Sequence, residues 1–494
     1  MRQVQRRPWA LLFALGALFA VQAAWGMAAE RTELPNGLRV LAVEDRASDI
    51  AGVQLLVGAS AATEPETVAG LRAVLQQMIH TGLRERLRSE PDLQLLRDED
   101  NAAGMGAAQT AFTVGTSWEY AQFAGQATSE ALPAMLRFLR EGAFAPALTD
   151  EAFSTAVGIT RLGLDGEQAA APAEATSYLF RQAADGVANP RARSVRGTHA
   201  TLSHLDLAQL QAYHRRYYVP NLCCLCVVAP LPAGEITALA QEAFGELPRG
   251  REVEAVAPTL PTQSAIRVAE DPGLQWNPAL PPGFQMASLI AGCPAPAYGD
   301  AEYATAAVVA SLLAGTTDKP GLALEDDGLY RALGLEPLGV TADRAREQGA
   351  VEPLPLDYGP TNHIAFHAYV VARSIEGFSE RLLEHFAQLA AGEPPVTEAQ
   401  LAQAKAVVLN RHAQELEPRS LQALELARAE LLGGGWAYAA HFDDQVRAVT
   451  VQDVARVAAA YFGRHAVAVR LPAQQAEEQP AEPTSPPGTT AKGY

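Results

Sequence analysis

Apolar residues recur at positions 71, 74, 75, 78 and 79 of the stretch Gly70–Gly82, the spacing that lays them along one stripe of a helix, and Gly82 is placed to end it. A charged, Leu-rich run over Arg84–Asn101 reads as a further helix, followed by a small, Gly-rich loop over Ala102–Ala108. Upstream, the turn-forming Leu34-Pro-Asn-Gly and the apolar run Val53–Ser60 mark strands. Downstream, Gln109–Val114 and Trp118–Phe123 alternate as a hairpin, Leu132, Leu136 and Leu139 lie at helical spacing within Ser129–Phe144, and Asp150–Gly163 predicts a helix. The same grammar returns later as a strand from Gln285, a helix over Ala301–Leu313, a strand over Asn362–Val371 and a helix opened by Thr397 with Gln400 at the capping-box position.

One segment is written twice. Leu202–Tyr218 lies over Val446–Phe462 without a gap, aliphatic on aliphatic, each closed by a pair of aromatics and followed by an apolar strand, Leu222–Val228 and Ala466–Leu471. The economical inference is two halves of one build. The Pro-rich, motif-poor span 248–282 reads as the linker between a domain over 30–247 and another over 283–472, and the Glu-, Pro- and Thr-rich end, 473–494, as a disordered tail.

The order Leu34-Pro-Asn-Gly-Leu-Arg-Val40, Glu64-Pro-Glu, Gly70-Leu71 resembles the N-terminal signature of the insulinase/pitrilysin superfamily of zinc peptidases, the inverted zincins. Leu205–Asn221, with its Tyr217-Tyr-Val-Pro-Asn ending, matches a second signature of that superfamily closely. The resemblance covers Leu34 to Leu471 and implies an α+β chain of two homologous α/β-sandwich domains, built like the mitochondrial processing peptidase and closed as a clam-shell. In active members H-x-x-E-H places two histidines on one helix face to hold zinc, with the glutamate as general base. Superposition puts Ala73, Gln76 and Gln77 at those positions. A methyl group and two neutral amides neither bind zinc well nor take a proton from water. The resemblance sets Ala156 and Gly163 at the family's downstream glutamates, and Gly334 and Thr341 at the arginine and tyrosine that hold substrate. Glu151 and Glu167 flank that downstream helix as solvated charges, and Tyr330 and Arg331 stand near the lost clamp, Tyr330 at an apolar packing position.

Other candidate ligands are weak. His80 is a lone histidine beyond the motif, and a catalytic zinc needs three protein ligands. His363 and His367 share a strand face but lie about 13 Å apart at 3.3 Å per residue. Cys224 and Cys226 share one face of an apolar strand, Cys223 takes the other, and with Cys293 far off all four read as small buried hydrophobes.

Composition narrows the partners. Among 494 residues, 48% hydrophobic and 19% charged, 56 acidic against 38 basic side chains give a formal charge of -18, which argues against nucleic acid or an anionic membrane. Only Lys319, Lys405 and Lys492 are lysines, so arginine carries nearly all the positive charge. Arg2, Arg6 and Arg7 precede an apolar run from Trp9 to Ala24, with small residues at Ala23 and Ala28-Ala29, the layout of a secretory signal peptide over 1–29; an uncleaved anchor is the alternative. The chain is expected in the periplasm or outside the cell.

The leading expectation is a non-catalytic homologue, with no cofactor of its own, that binds an extended peptide beside a zinc-bearing homologous subunit. A scaffold or peptide-sequestering protein without such a partner, and a peptidase with non-standard ligands, are the alternatives.

Overall fold

The computed structural model describes residues 28–90, 93, 96, 112–170, 172–253, 261, 263–271, 274, 285–314, 350–393 and 395–473. The expected signal segment, but for residues 28 and 29, and the expected tail from 474 lie outside them.

The first half runs β1 (Glu30–Glu33), β2 (Arg39–Glu44), β3 (Ile50–Val57), α1 (Leu71–Ser89), β4 (Phe112–Thr116), β5 (Ala121–Thr128), α2 (Leu132–Phe144), α3 (Asp150–Ala170), α4 (Pro172–Ala184), α5 (Leu207–Tyr217), β6 (Cys223–Ala229) and α6 (Ala233–Phe244). The second runs β7 (Ala265–Asp271), β8 (Met286–Ala295), α7 (Tyr303–Ala314), β9 (Ala350–Pro353), β10 (Asn362–Val371), α8 (Ile375–Ala391), α9 (Glu398–Glu415), α10 (Arg419–Leu432), α11 (Val451–Tyr461) and β11 (Ala466–Pro472).

The sheets share one topology. Sheet one is ordered β1-β2-β6-β3-β5-β4 and sheet two β7-β11-β8-β10-β9. Both place one parallel pair, β2 with β6 and β7 with β11, beside an otherwise antiparallel ladder. The expected repeat is therefore real at the level of hydrogen bonding. Laying Leu202–Tyr218 on Val446–Phe462 puts Leu207 on Val451 and Tyr217 on Tyr461, the first and last residues of α5 and α11. Both helices open with capping boxes, Asp206 with Gln209 and Thr450 with Asp453, so the same local hydrogen bonds start the same element twice.

Two expectations need correction. Helix α1 runs through Gly82 to Ser89, past the expected stop and into the start of the helix expected over Arg84–Asn101, most of whose remainder lies outside the described residues. Beyond the helix's own neighbouring backbone, nothing lies within 4 Å of the place a Cβ would take at Gly82, and the buried Leu83 and Leu87 continue the apolar stripe past it. Within the span 248–282 read as linker, Ala265–Asp271 forms β7, paired in parallel register with β11 from Ala466 to Pro472. The proline count of the span masks a short edge strand.

Each sheet is covered on both faces. The core of the first half packs Val40, Val53, Leu55, Leu225 and Val227 beneath α1, α2, α5 and α6; that of the second packs Leu289, Ile364, Phe366, Val467 and Val469 beneath α7, α8 and α11. The opposite faces are covered by exchange. Helix α10, from the second half, lies on β3 and β6 of sheet one, and α4, from the first, lies on β8 and β11 of sheet two. Leu41, Leu56, Cys224, Cys226 and Val228 meet Ala423, Leu426 and Ala427 of α10; Ile290, Ala365, Ala466 and Ala468 meet Phe180, Ala183 and Ala184 of α4. Burial on both faces is why Cys223–Ala229 is apolar at every position rather than alternating. All four cysteines are buried free thiols, with Cys223 on one face of β6 and Cys224 and Cys226 on the other; burial pushes Cys224 and Cys293 up to about 12.

Candidate functional site

The pseudo-motif sits in the first two turns of α1. Gly70, at φ 98°, precedes the helix and has no side chain to cap it. The Glu64 carboxylate supplies the cap, accepting the Arg72 N–H at 2.9 Å. A Cβ at Gly70 would collide with the Arg196 carbonyl, so glycine is needed here for both its φ and its size.

Arg72, where the family signature carries alanine beside the first histidine, is wholly buried. Its Nη1 donates to the carbonyls of Ala59 (2.9 Å) and Ser117 (2.7 Å) and to Thr116 Oγ1 (2.9 Å), and its Nε lies 3.6 Å from Glu64 Oε2. Burial raises Glu64 above the ordinary carboxylate range against the pull of Arg72.

The three motif positions are occupied as follows. Ala73 is half-buried and offers no donor atom. Gln76 is buried, and its Nε2 donates to the Tyr218 hydroxyl at 2.5 Å. Tyr218 stacks on His214 (centroids 4.8 Å apart), whose Nε2 lies 2.8 Å from the Ala143 carbonyl; burial lowers the His214 pKa and raises that of Tyr218. Gln77, half-buried, donates from Nε2 to Thr81 Oγ1 at 3.2 Å. His80 packs against Phe112 (centroids 5.5 Å), with its pKa lowered by burial and by Arg84.

Helix α3, which carries the two downstream positions, packs along α1. Ala156 is buried in the core, and its carbonyl accepts from the Thr160 hydroxyl at 2.8 Å. Gly163 faces an arginine: a Cβ there would lie 3.1 Å from Arg196 Nη1. Glu151 is exposed, while the side chain of Glu167 lies outside the described residues. Gly334, Thr341, Tyr330 and Arg331 also lie outside them.

This donor set does not fit zinc. One position has only a methyl group, one amide is held by Tyr218, and neither α3 position carries a carboxylate. Among the described residues no group of three or more His, Cys, Asp or Glu side chains is placed to hold a metal ion. His363 and His367 lie on one face of β10, as the alternation predicts, but take separate partners: His363 Nε2 lies 3.0 Å from Asp185 Oδ1 and His367 Nε2 2.9 Å from Ser288 Oγ.

Beside α1 runs β4, at the free end of the sheet order. The hairpin that joins it to β5 is tied to the other half. Glu119 pairs with Arg191 at 2.6 Å, and Arg191 Nη1 donates to the Thr361 carbonyl. Arg181 grips Asp357 with Nη2 at 2.7 and 2.8 Å and lies over the Trp118 ring at 4.3 Å. Arg72, Arg191 and Arg196 escape a motif search, although three arginines within Pro190–Arg196 of an acidic chain are a legible signal.

Residues 204–408 match the family model described as the M16 peptidase inactive domain. Uncharacterised zinc proteases of Mycobacterium tuberculosis and Mycobacterium leprae are each 28% identical over 250 and 246 residues, about half of this chain (50% and 49%) and about half of each relative's own length (53% and 51%). A protease of Helicobacter pylori superposes with a TM-score of 0.70 at 16% identity, covering 90% of this chain and 99% of that one. A peptidase M16 inactive domain from Pseudomonas fluorescens gives 0.69 at 17%, covering 90% and 98%. Residues 204–408 thus match the M16 inactive domain, and over 90% of its length the chain has the fold of M16 peptidase-like proteins. The chain resembles a member of that family without the catalytic motif: the sheets and helices of the fold are in place, while Ala73, Gln76 and Gln77 stand where H-x-x-E-H would be.

Proposed function

We propose that this M16 homologue is the peptide-binding subunit of a two-component zinc peptidase of the bacterial cell envelope, the metal being carried by a homologous partner with an intact H-x-x-E-H. The supporting observation is an asymmetry of preservation. The edge strand β4, α1 beside it and the hairpin anchors Glu119–Arg191 and Arg181–Asp357 are built in full, while the motif positions carry no catalytic group. Among the described residues β4 ends the sheet order, so its outer edge could accept an extended peptide as a further strand. The envelope location rests on the N-terminal arginines and apolar run. Among the described residues no helix is long and apolar enough to cross a membrane.

The test is affinity capture of the tagged mature chain from its own envelope extract, with mass spectrometry of the eluate and an assay for chelator-sensitive peptide hydrolysis. Recovery of an M16 homologue with an intact motif, together with hydrolysis that neither chain shows alone, is the expected result. A chain that emerges alone and inert overturns the subunit reading and leaves a stand-alone peptide binder.

A further inference from the structure

Loss of ligands is one way to lose a metal; occupation of the site by fixed positive charge is another. One arginine reaches a position where the family holds zinc, and a second is next in the chain to another. Arg196 reaches from the segment packed on the N-terminus of α1 across to α3, with Nη1 3.1 Å and Cζ 3.5 Å from where a Cβ would stand at residue 163. Arg72, beside Ala73, is wholly buried, and its charge bears on Tyr218, the residue that holds Gln76. The counter-charges facing Arg72 are Glu64 and Glu119; Arg193 also bears on Glu64, and Arg181 and Arg191 on Glu119.

We infer that the pseudo-active site excludes zinc by arginine substitution as well as by ligand loss, so that restoring the family's ligands does not restore metal binding while Arg196 remains. A glutamate at 163 would enter the reach of the Arg196 guanidinium and form a charge-assisted pair with it. The carboxylate so engaged is withdrawn from a site that needs three protein ligands, and the exposed guanidinium beside it repels a divalent ion at close range. This inference rests on the assignment of positions 73, 76, 77 and 163, and is independent of any partner or peptide.

The experiment compares the chain carrying A73H, Q76E, Q77H and G163E with the same chain carrying R196M, and with R196M and R72M together. Zinc per chain is measured after a chelator wash, affinity by competition with a chromophoric chelator, and folding by circular dichroism. The quadruple variant, with its three ligands and general base restored, is expected to hold no stoichiometric zinc, and R196M to tighten binding at least about tenfold, the order expected when a unit charge near a divalent ion is removed. Equal zinc affinity with and without R196M overturns the inference, as does failure of every folded variant to bind zinc. Should the quadruple variant not fold, a double-mutant cycle between G163E and R196M in the native background decides. Favourable coupling in melting temperature upholds capture of the carboxylate, and additivity refutes it. The zinc content of the unaltered chain is a separate measurement and tests only the non-catalytic reading.

Discussion

Helices α4 and α10 occupy equivalent places in the two halves, and each leaves its own half to cover the other's sheet, but they bind there by different means. At α10 the fit is one of backbone on backbone. A Cβ at Gly52 of β3 would come within 2.5 Å of the Arg419 carbonyl carbon, and Arg419 reaches around the sheet end to Asp45 Oδ2, the Asp45 carbonyl and the Ser48 carbonyl, each at 2.8 Å, and to the Ile50 carbonyl. At α4 the fit runs through side chains. Thr176, Ser288 and His367 form a buried relay with contacts of 2.7 and 2.9 Å, and Asp185 pairs with His363 just past the helix end. Closeness needs glycine on one side and polar complementarity needs hydroxyl and imidazole on the other. The exchange itself ties the halves into one unit, because neither sheet can bury both faces without the other half's helix.

The outer edges differ as well. In sheet one, β2 is paired by β1 and covered by α6, with Ile236, Ala240 and Phe244 in the core. Strand β7, the equivalent of β2, ends its sheet with Ile266 and Val268 67% and 61% exposed. Among the described residues no helix follows β11 as α6 follows β6.

The comparison can be broken most forcefully at α10. Arg419→Met leaves the half-buried Asp45 and three carbonyls without their cation and is expected to cost about 1–3 kcal/mol, the range for leaving hydrogen-bonding groups unsatisfied, read in urea unfolding. A cost below 1 kcal/mol would show that the helix is held by apolar packing alone. Gly52→Val forces α10 off the sheet and is expected to cost about 1–3 kcal/mol; a neutral result would refute the close approach. Acid should loosen both halves. Burial lowers His214 in the first half and His385 in the second, so each folded imidazole resists the proton that the unfolded chain accepts. Their contribution is present above the ordinary histidine pKa and is lost as pH falls through the depressed one. Melting temperature should therefore fall from pH 7 toward 5, and His214→Gln or His385→Gln should each flatten the profile. Asp185 adds a later acid loss: against its burial, the His363 hydrogen bond holds its carboxyl below the usual range, so its contribution disappears only as pH falls through the carboxylate range. Gly82→Ala, inside a continuous helix with open space around it, is expected to stabilise by up to about 1 kcal/mol; destabilisation would reinstate a helix break there. The smallest effect belongs to the bare edge, where Ile266→Thr with Val268→Thr should change stability by less than about 0.5 kcal/mol.

How far the site was legible depended on the kind of residue. The motif positions Ala73, Gln76 and Gln77 lie in a helix whose register follows from Leu71, Val74, Leu75 and Met78 alone, so the vacancy in the chemistry was readable without coordinates. The hydrogen bond from Gln76 to Tyr218 joins positions 142 residues apart and has no local signature. Arg72 was equally silent, and the arginine cluster ending at Arg196 announced itself without announcing its role, because an arginine in sequence is a solvated charge until packing buries it or lays it over a glycine.

By itself the sequence determined the elements and their duplication, since hydrophobic period, capping boxes and turn residues act within a few residues of the chain. It misplaced a helix stop at Gly82 and hid β7 among prolines, where local propensity was outweighed by contacts made far along the chain. Only the tertiary structure decided that α4 and α10 change places, because that choice turns on which apolar face each sheet leaves open. Both faces of both sheets must be covered, and no local pattern states whose helix does it.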